Sequence, residues 1–350
     1  MSIDTGAPPE LYLESLPESV VASIEVRDAW RRQAAASGGV EFVINDLARW
    51  VPGSRVRVAF LDGTDELHEK VAGATAQISE SCNLELDFGR TAGGSYRRWT
   101  PSDATYAAEI RVSFDLGGYF SLIGTDSADR TVGGPGDTVG GRPGQRSLNL
   151  GGYATALPAR WEGTVRHEFL HALGFSHGHQ NLRGPCEQEF RWDDDAGYVP
   201  TQDARGMYVK DANGRRPGIY TYLAGFPNGW SRAKVDHNLR TVDDPAETVG
   251  AFDRKSIMLY SFADFFYQSS PSPCTPTGNG VDLSEGDKRG LRLLYPATAE
   301  AVNALADRAD AALQQVGAGD EAGGPAASPY AERMLELLRA QSGARVGAGN

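Results

Sequence analysis

The chain has 350 residues, 40% of them hydrophobic, enough to fill the core of one large domain or two smaller ones. Its formal charge of −12 favours solubility and leaves no basic footprint for nucleic acid or an anionic membrane surface. No apolar run approaches membrane-spanning length, and the N-terminus MSIDTGAPPELYLESLPESV lacks the basic start and apolar core of a secretory signal, so a cytoplasmic protein or one exported by a non-Sec route is expected.

Residues 1–49 read as an N-terminal extension, with one or two helices that end at Gly38-Gly39 and offer Leu11, Leu13, Leu16, Val20, Val21 and Ile24 for packing. The main domain is expected over 50–296. Within it Val56, Val58 and Phe60 alternate with Arg55, Arg57 and Ala59, as a half-buried strand does. Thr64 can cap a helix whose Leu67, Val71, Ala74, Ile78 and Cys82 share one face. Leu84, Leu86 and Phe88 alternate next, as do Ile110, Val112 and Phe114, and a further strand is expected at Ser147–Leu150. TVGGPGDTVGGRPGQ (131–145), with six glycines and two prolines, can hold neither helix nor strand and reads as a mobile surface loop. Residues 178–250 read as irregular, with a short helix near Ser231–Leu239, and DLSEGDKRGLRLLYP gives the last helix of the domain. The tail, 297–350, reads as an Ala-rich helix, a Gly/Ala/Pro linker at 317–328 and a Leu-rich helix at 330–340.

The stretch that carries chemistry is HEFLHALGFSH, His167 to His177. On a helix His167 and His171 stand one turn apart on one face and form a two-pronged metal clamp. Glu168 is placed to reach a metal-bound water without ligating the metal. Gly174 suits a helix stop, because glycine tolerates the left-handed backbone that turns the chain and brings His177 back as a third nitrogen. Three imidazoles with one position left open describe a single catalytic Zn2+ rather than a structural one, which closes its shell with cysteines. Histidines four apart usually hold no metal, but this pattern fixes five residues in eleven, and four of the six histidines in the chain fall between His167 and His179.

The pattern HExxHxxGxxH, followed downstream by Ser256-Ile257-Met258-Leu259-Tyr260 as a Met-turn, resembles the metzincin zinc peptidases. The Tyr two residues after the Met is more similar to the astacin branch, with serralysins as second choice. The resemblance implies an α+β fold: a metzincin-type catalytic domain with a twisted mixed sheet, long helices above the cleft and an irregular lower subdomain. It implies zinc held by His167, His171 and His177, a water activated by Glu168 as general base, and endopeptidase cleavage of a protein or peptide substrate, with no nucleic acid or membrane partner. Tyr260 would ligate zinc at rest and swing to the tetrahedral intermediate, or else pack in the core. Met258 would form a hydrophobic floor, and Asp253 would orient the turn or face solvent. An extended substrate would add to Ser147–Leu150 as an edge strand. Relatives with this site are secreted, which makes an extracellular location the family-based alternative.

Astacins carry Glu directly after the third His, where it anchors the matured N-terminus, and this chain has Gly178. Residues 1–49 could instead act as a propeptide, with Asp46 or another acid over the zinc. His179, whose spacing does not fit the motif, is expected to face solvent or stand behind the ligands; His68 and His237 are isolated. Asp193–Asp195 and Asp211–Gly214 match no calcium-loop pattern and read as turns. Of Cys82, Cys186 and Cys274, the last two fall in Pro-containing loops and could bridge in an oxidising compartment, and Cys82 reads as a buried thiol. A zinc hydrolase with a non-peptide substrate, or a binding protein that keeps the metzincin shell, is the alternative function; degenerate shells usually lose the Glu or a His, and here all are present.

Overall fold

The computed structural model describes residues 14–38, 44–241, 250–320 and 328–346; of the stretch expected to form one or two N-terminal helices, residues 1–13, with Leu11 and Leu13, lie outside them. The described chain enters through α1 (Glu18–Gly38) and the short α2 (Ile44–Ala48). In β1 (Arg55–Phe60) the residues Val56, Val58 and Phe60 are buried and Arg55 is exposed, as the alternation requires. The Thr64 hydroxyl accepts from the Leu67 N–H at 3.3 Å and starts α3 (Asp65–Ala74). That helix does not run unbroken to Cys82. The Thr75 hydroxyl donates to the Ala72 carbonyl at 2.8 Å, which competes with the helical ladder, and a single turn restarts as α4 (Ala76–Ser79).

β2 (Glu85–Asp87), β3 (Ile110–Ser113), β4 (Tyr119–Ser121) and β5 (Leu148–Leu150) complete a five-stranded sheet in the order β2-β1-β3-β5-β4. All pairs are parallel except β4 with β5. Ser147–Leu150, expected as an edge strand, is interior: β5 pairs on both sides, Leu148 with Val112 and Leu150 with Tyr119, and the edge strand beside it is β4. Three residues are too few to show a period. Residues 131–145 form no helix or strand, but they are not a loop held only by solvent. Val132, Val139 and Gln145 are buried, and the fully buried Arg111 guanidinium donates to the carbonyls of Gln145 at 2.6 Å, Ser127 at 2.6 Å and Gly140 at 3.1 Å.

One face of the sheet meets α3 and α5 (Trp161–Ala172), with Val58, Ile110, Val112, Leu148, Val165 and Phe169 at the centre of the main core. Burying each such side chain contributes about 1.5–3 kcal/mol. Beyond α5 the chain turns irregular, as expected, around α6 (Cys186–Glu189), α7 (Ile219–Ala224) and α8 (Arg232–Leu239). A smaller core of Phe190, Leu223, Trp230 and Phe266 surrounds the Cys186–Cys274 disulfide. Asp211 accepts from the N–H groups of Asn213 and Arg215, which is turn chemistry. Cys82 is free and half-buried, and burial pushes its thiol up to about 12. α9 (Glu285–Leu294) opens on a capping box between Ser284 and Asp287. The Tyr295 hydroxyl that follows it donates to the Leu173 carbonyl at 2.8 Å, closing the domain on the end of α5.

The tail forms α10 (Ala299–Asp320) and α11 (Pro329–Ser342), packed on each other and on α1, with α11 also on α2. α10 extends into the stretch read as a linker, and residues 321–327 lie outside the described ones. The fold class is α+β, and no described helix is long and apolar enough to cross a membrane.

Candidate active site

His167 and His171 come from the last two turns of α5. The helix stops because Gly174 takes φ +94°, a conformation that side chains resist. Its N–H donates to the His171 carbonyl at 2.8 Å and the Phe175 N–H donates to the Leu170 carbonyl at 3.0 Å, and the chain turns back to present His177. The Nε2 atoms of His167 and His171 then lie 3.2 Å apart, and those of His171 and His177 lie 3.1 Å apart. The other nitrogens set the tautomers. Nδ1–H of His167 donates to the Ile257 carbonyl at 2.7 Å, and Nδ1–H of His171 donates to the Phe175 carbonyl at 2.6 Å. In the neutral rings this leaves the Nε2 lone pairs facing one another.

The Met-turn is fixed from below its own sequence. The Asp253 carboxylate accepts from the Lys255 N–H at 2.8 Å and from the Ser284 hydroxyl at 2.7 Å, so it orients the turn. Asp287 accepts from the Ser256 hydroxyl at 2.5 Å and the Ile257 N–H at 3.2 Å, tying the turn to the start of α9. Asp287 was not legible as a site residue, because DLSEGDKRGLRLLYP shows only a helix. Met258 is buried in the main core, and its carbonyl accepts from the Gly178 N–H at 2.7 Å, which joins the turn to the irregular segment that carries His177. A Cβ at Gly178 would stand 3.3 Å from that of Leu259, so the position leaves little room for the glutamate found there in astacins. Tyr260 packs on His177 with ring centres 4.3 Å apart.

His179 is not solvent-facing. It is fully buried, stacks on His177 and Tyr260 with ring centres 5.1 Å from each, and its Nε2–H donates to the Asn238 carbonyl at 2.9 Å. Burial holds its imidazole well below the usual range, hence neutral. It forms the wall behind the third histidine. His68 is also buried, stacked on Phe60 at 4.0 Å.

A fourth group joins the cluster. The Glu14 carboxylate lies 2.9 Å from His167 Nε2, 3.1 Å from His171 Nε2 and 3.4 Å from His177 Nε2, and accepts from the Tyr260 hydroxyl at 3.0 Å. Burial alone would raise its pKa, but His171, His167 and His177 outweigh burial and hold it well below the carboxylate range. Asp46, the acid named from sequence, is elsewhere: it pairs with Arg49 at 2.8 Å and with Arg308 at 3.0 Å. Glu168 is 1% exposed, and its Oε2 has no hydrogen-bond partner. Burial, and then the Glu14 charge, push its carboxyl well above the ordinary range.

Glu14, His167, His171 and His177 offer ligand atoms that all lie within 4.8 Å of one another. Imidazole acceptors aimed at one point beside a carboxylate suit a cation, and nitrogen donors with a carboxylate fit zinc. The residues therefore fit the ion the motif implies. No family model matches the sequence, and no curated protein matches it. Solved structures do align with it. A structure of myroilysin is 27% identical over 72% of this chain and 97% of that one, with a TM-score of 0.47. A crystal structure of myroilysin is 24% identical over 71% and 86%, with a TM-score of 0.41. High choriolytic enzyme 1, a hatching enzyme zinc-protease from the medaka fish Oryzias latipes, is 15% identical over 72% and 96%, with a TM-score of 0.40. The chain's resemblance to astacin-like metzincins is carried by its own motif and Met-turn residues.

Proposed function

We propose that the chain is a zinc-dependent endopeptidase and that the form described here is latent, with Glu14 in the position a substrate needs. The observation that supports this reading is the convergence of three Nε2 atoms beside a buried glutamate with one unpaired oxygen. His167, His171 and His177 would hold the ion. When bound, it would supply Lewis acidity, acidifying a water and polarising the scissile carbonyl.

The side chains do the rest. Glu168, once Glu14 has left, takes a proton from the attacking water as the new C–O bond forms, and delivers it to the amine as the C–N bond breaks. Tyr260 stays protonated, because burial and then the charges of Glu14 and Glu168 push its hydroxyl well above 10. Freed from Glu14, it donates to the developing oxyanion. β4 is the sheet edge beside β5, and an extended peptide can add to it through backbone hydrogen bonds that are indifferent to sequence, which favours cleavage within a chain.

The test is metal content together with cleavage of an unstructured protein, comparing Glu14→Ala with the same chain carrying Glu168→Gln. One zinc per chain in both, with cleavage lowered about 100-fold or more in the second, is expected. Bound zinc with undiminished cleavage would sink the mechanism, and no zinc in either would sink the site.

A further inference from the structure

We propose that α10 and α11 form a latch that holds the N-terminal segment over the metal centre. The proposal rests on the latent reading of Glu14 above, and it assigns the tail a regulatory role rather than one in the chemistry.

The N-terminal segment is fastened at three places. Near Glu14, Leu16, Val20 and Ile24 pack with Phe120, Leu122, Val132 and Val139 at the edge of the sheet. In the middle of α1, Arg27 forms a forked ion pair with Asp126, its Nη2 donating to Oδ2 at 3.1 Å, and Arg31 reaches Asp129 at 3.4 Å. Both arginines are no more than 4% exposed. These two fastenings are made to the body that carries the zinc ligands.

The third is made to the tail. Ala309, Ala312, Met334, Leu337 and Leu338 present one apolar face, and its occupants are Leu47 of α2, with no exposed surface, and Trp30 of α1. Trp30 meets Tyr330 with ring centres 5.9 Å apart. Polar contacts fix the register: Gln341 donates to the Asp46 carbonyl and accepts from Arg49 at 3.3 Å, and Arg308 pairs with Asp46 at 3.0 Å. α11 is itself tied to the body, because Arg333 donates to the Thr125 carbonyl at 3.4 Å, one residue from the Asp126 that holds Arg27. The tail thus bridges the body and the segment. Pulling it away would expose Leu47 and Trp30 and loosen α1 from its C-terminal half, while leaving every zinc ligand in place.

The experiment uses the full chain with Leu337→Asp and Leu338→Asp together, and separately with Tyr330→Ala, which touches the segment through one ring and carries less risk to folding. Cleavage of an unstructured protein is measured without any activating protease, beside Glu14→Ala. A rise of at least tenfold over wild type in the leucine variant, a smaller rise for Tyr330→Ala, and no further gain when either is combined with Glu14→Ala are expected. If both tail variants stay as silent as wild type while Glu14→Ala is active, the latch fails and the latent reading stands. If Glu14→Ala is itself no faster than wild type, the latent reading fails, and the latch is judged by limited trypsin. Cleavage after Arg31 or Arg32 that is faster in Tyr330→Ala than in wild type keeps it; equal protection overturns it.

Discussion

Glu14 makes the sharpest prediction, because one carboxylate touches all three motif histidines and Tyr260. Replacing it by alanine removes contacts to three imidazole nitrogens at 2.9, 3.1 and 3.4 Å and to the Tyr260 hydroxyl at 3.0 Å. With a proton or cation shared between the carboxylate and the Nε2 lone pairs, and the Tyr260 hydroxyl donating, charge-assisted contacts of this kind net about 1.5–3 kcal/mol each. Against them stands the cost of burying a carboxylate, several kcal/mol even after relaxation. A net preference of about 3 kcal/mol for the docked state follows, and at 1.4 kcal/mol per decade it leaves roughly one chain in 150 open. Glu14→Ala should then raise basal cleavage by about 100-fold, saturating when every chain is open. Glu14→Gln, which keeps the shape and loses the charge, should fall between, about tenfold above wild type. The assay is the initial rate on an unstructured protein with zinc content measured on the same samples. An alanine variant that holds one zinc and cleaves no faster than wild type would refute the reasoning.

Three further outcomes follow from the same geometry. In the Glu14→Ala background, Tyr260→Phe should lower kcat by about 10- to 100-fold with KM little changed, since the hydroxyl is assigned to the oxyanion; a change confined to KM would make Tyr260 a wall of the substrate site instead. Replacing Cys186 and Cys274 by alanine opens a loop closed over a separation of 88 residues, for which chain entropy predicts about 4.6 kcal/mol, so melting should fall by on the order of 10 °C and reductant should lower wild type alike; unchanged melting would mean that the bridge restrains nothing. Burial would raise the Glu109 pKa, but hydrogen bonds from Arg57, including its N–H at 2.8 Å, lower it on balance. A carboxylate with a depressed folded pKa stabilises above its unfolded value of about 4.3 and loses that stability as pH falls through the folded one. Glu109→Gln should therefore be less stable than wild type at pH 7, with the gap closing below about pH 4. A gap independent of pH would exclude the ion pair as its source.

What the sequence made legible was local. His167, His171, Gly174 and His177 are set by helical spacing and one positive φ, and Ser256–Tyr260 by a short run, so both could be read without knowing the fold. β4 was not legible, because a three-residue strand shows no alternation. Glu14 sits in LYLESL, a stretch that reads only as helix-forming, and its partners lie more than 150 positions away. The sequence leaves the acid that could cover the site open, Asp46 or another from residues 1–49, because proximity to the domain border is visible in sequence and docking is not. For His179 the sequence leaves two places open, toward solvent or behind the ligands, for a related reason: ligand spacing says which residue can reach the metal, and nothing about which residue is packed behind it.

The same contacts bear on how a latent form would be switched on. The imidazoles of His167 and His171 are oriented by carbonyls of Ile257 and Phe175, and those carbonyls are held by the Met-turn, Asp287 and the Gly174 stop, none of which involves the N-terminal segment. Glu14 touches the outward atoms, the Nε2 lone pairs, the Tyr260 hydroxyl and the Glu168 carboxyl, and none of the groups that orient the rings. Removing it leaves the ligands pointing where they already point. Activation by this route is a displacement without reassembly, which accommodates Gly178: a site already oriented by its own backbone has no need of a new N-terminus to complete it.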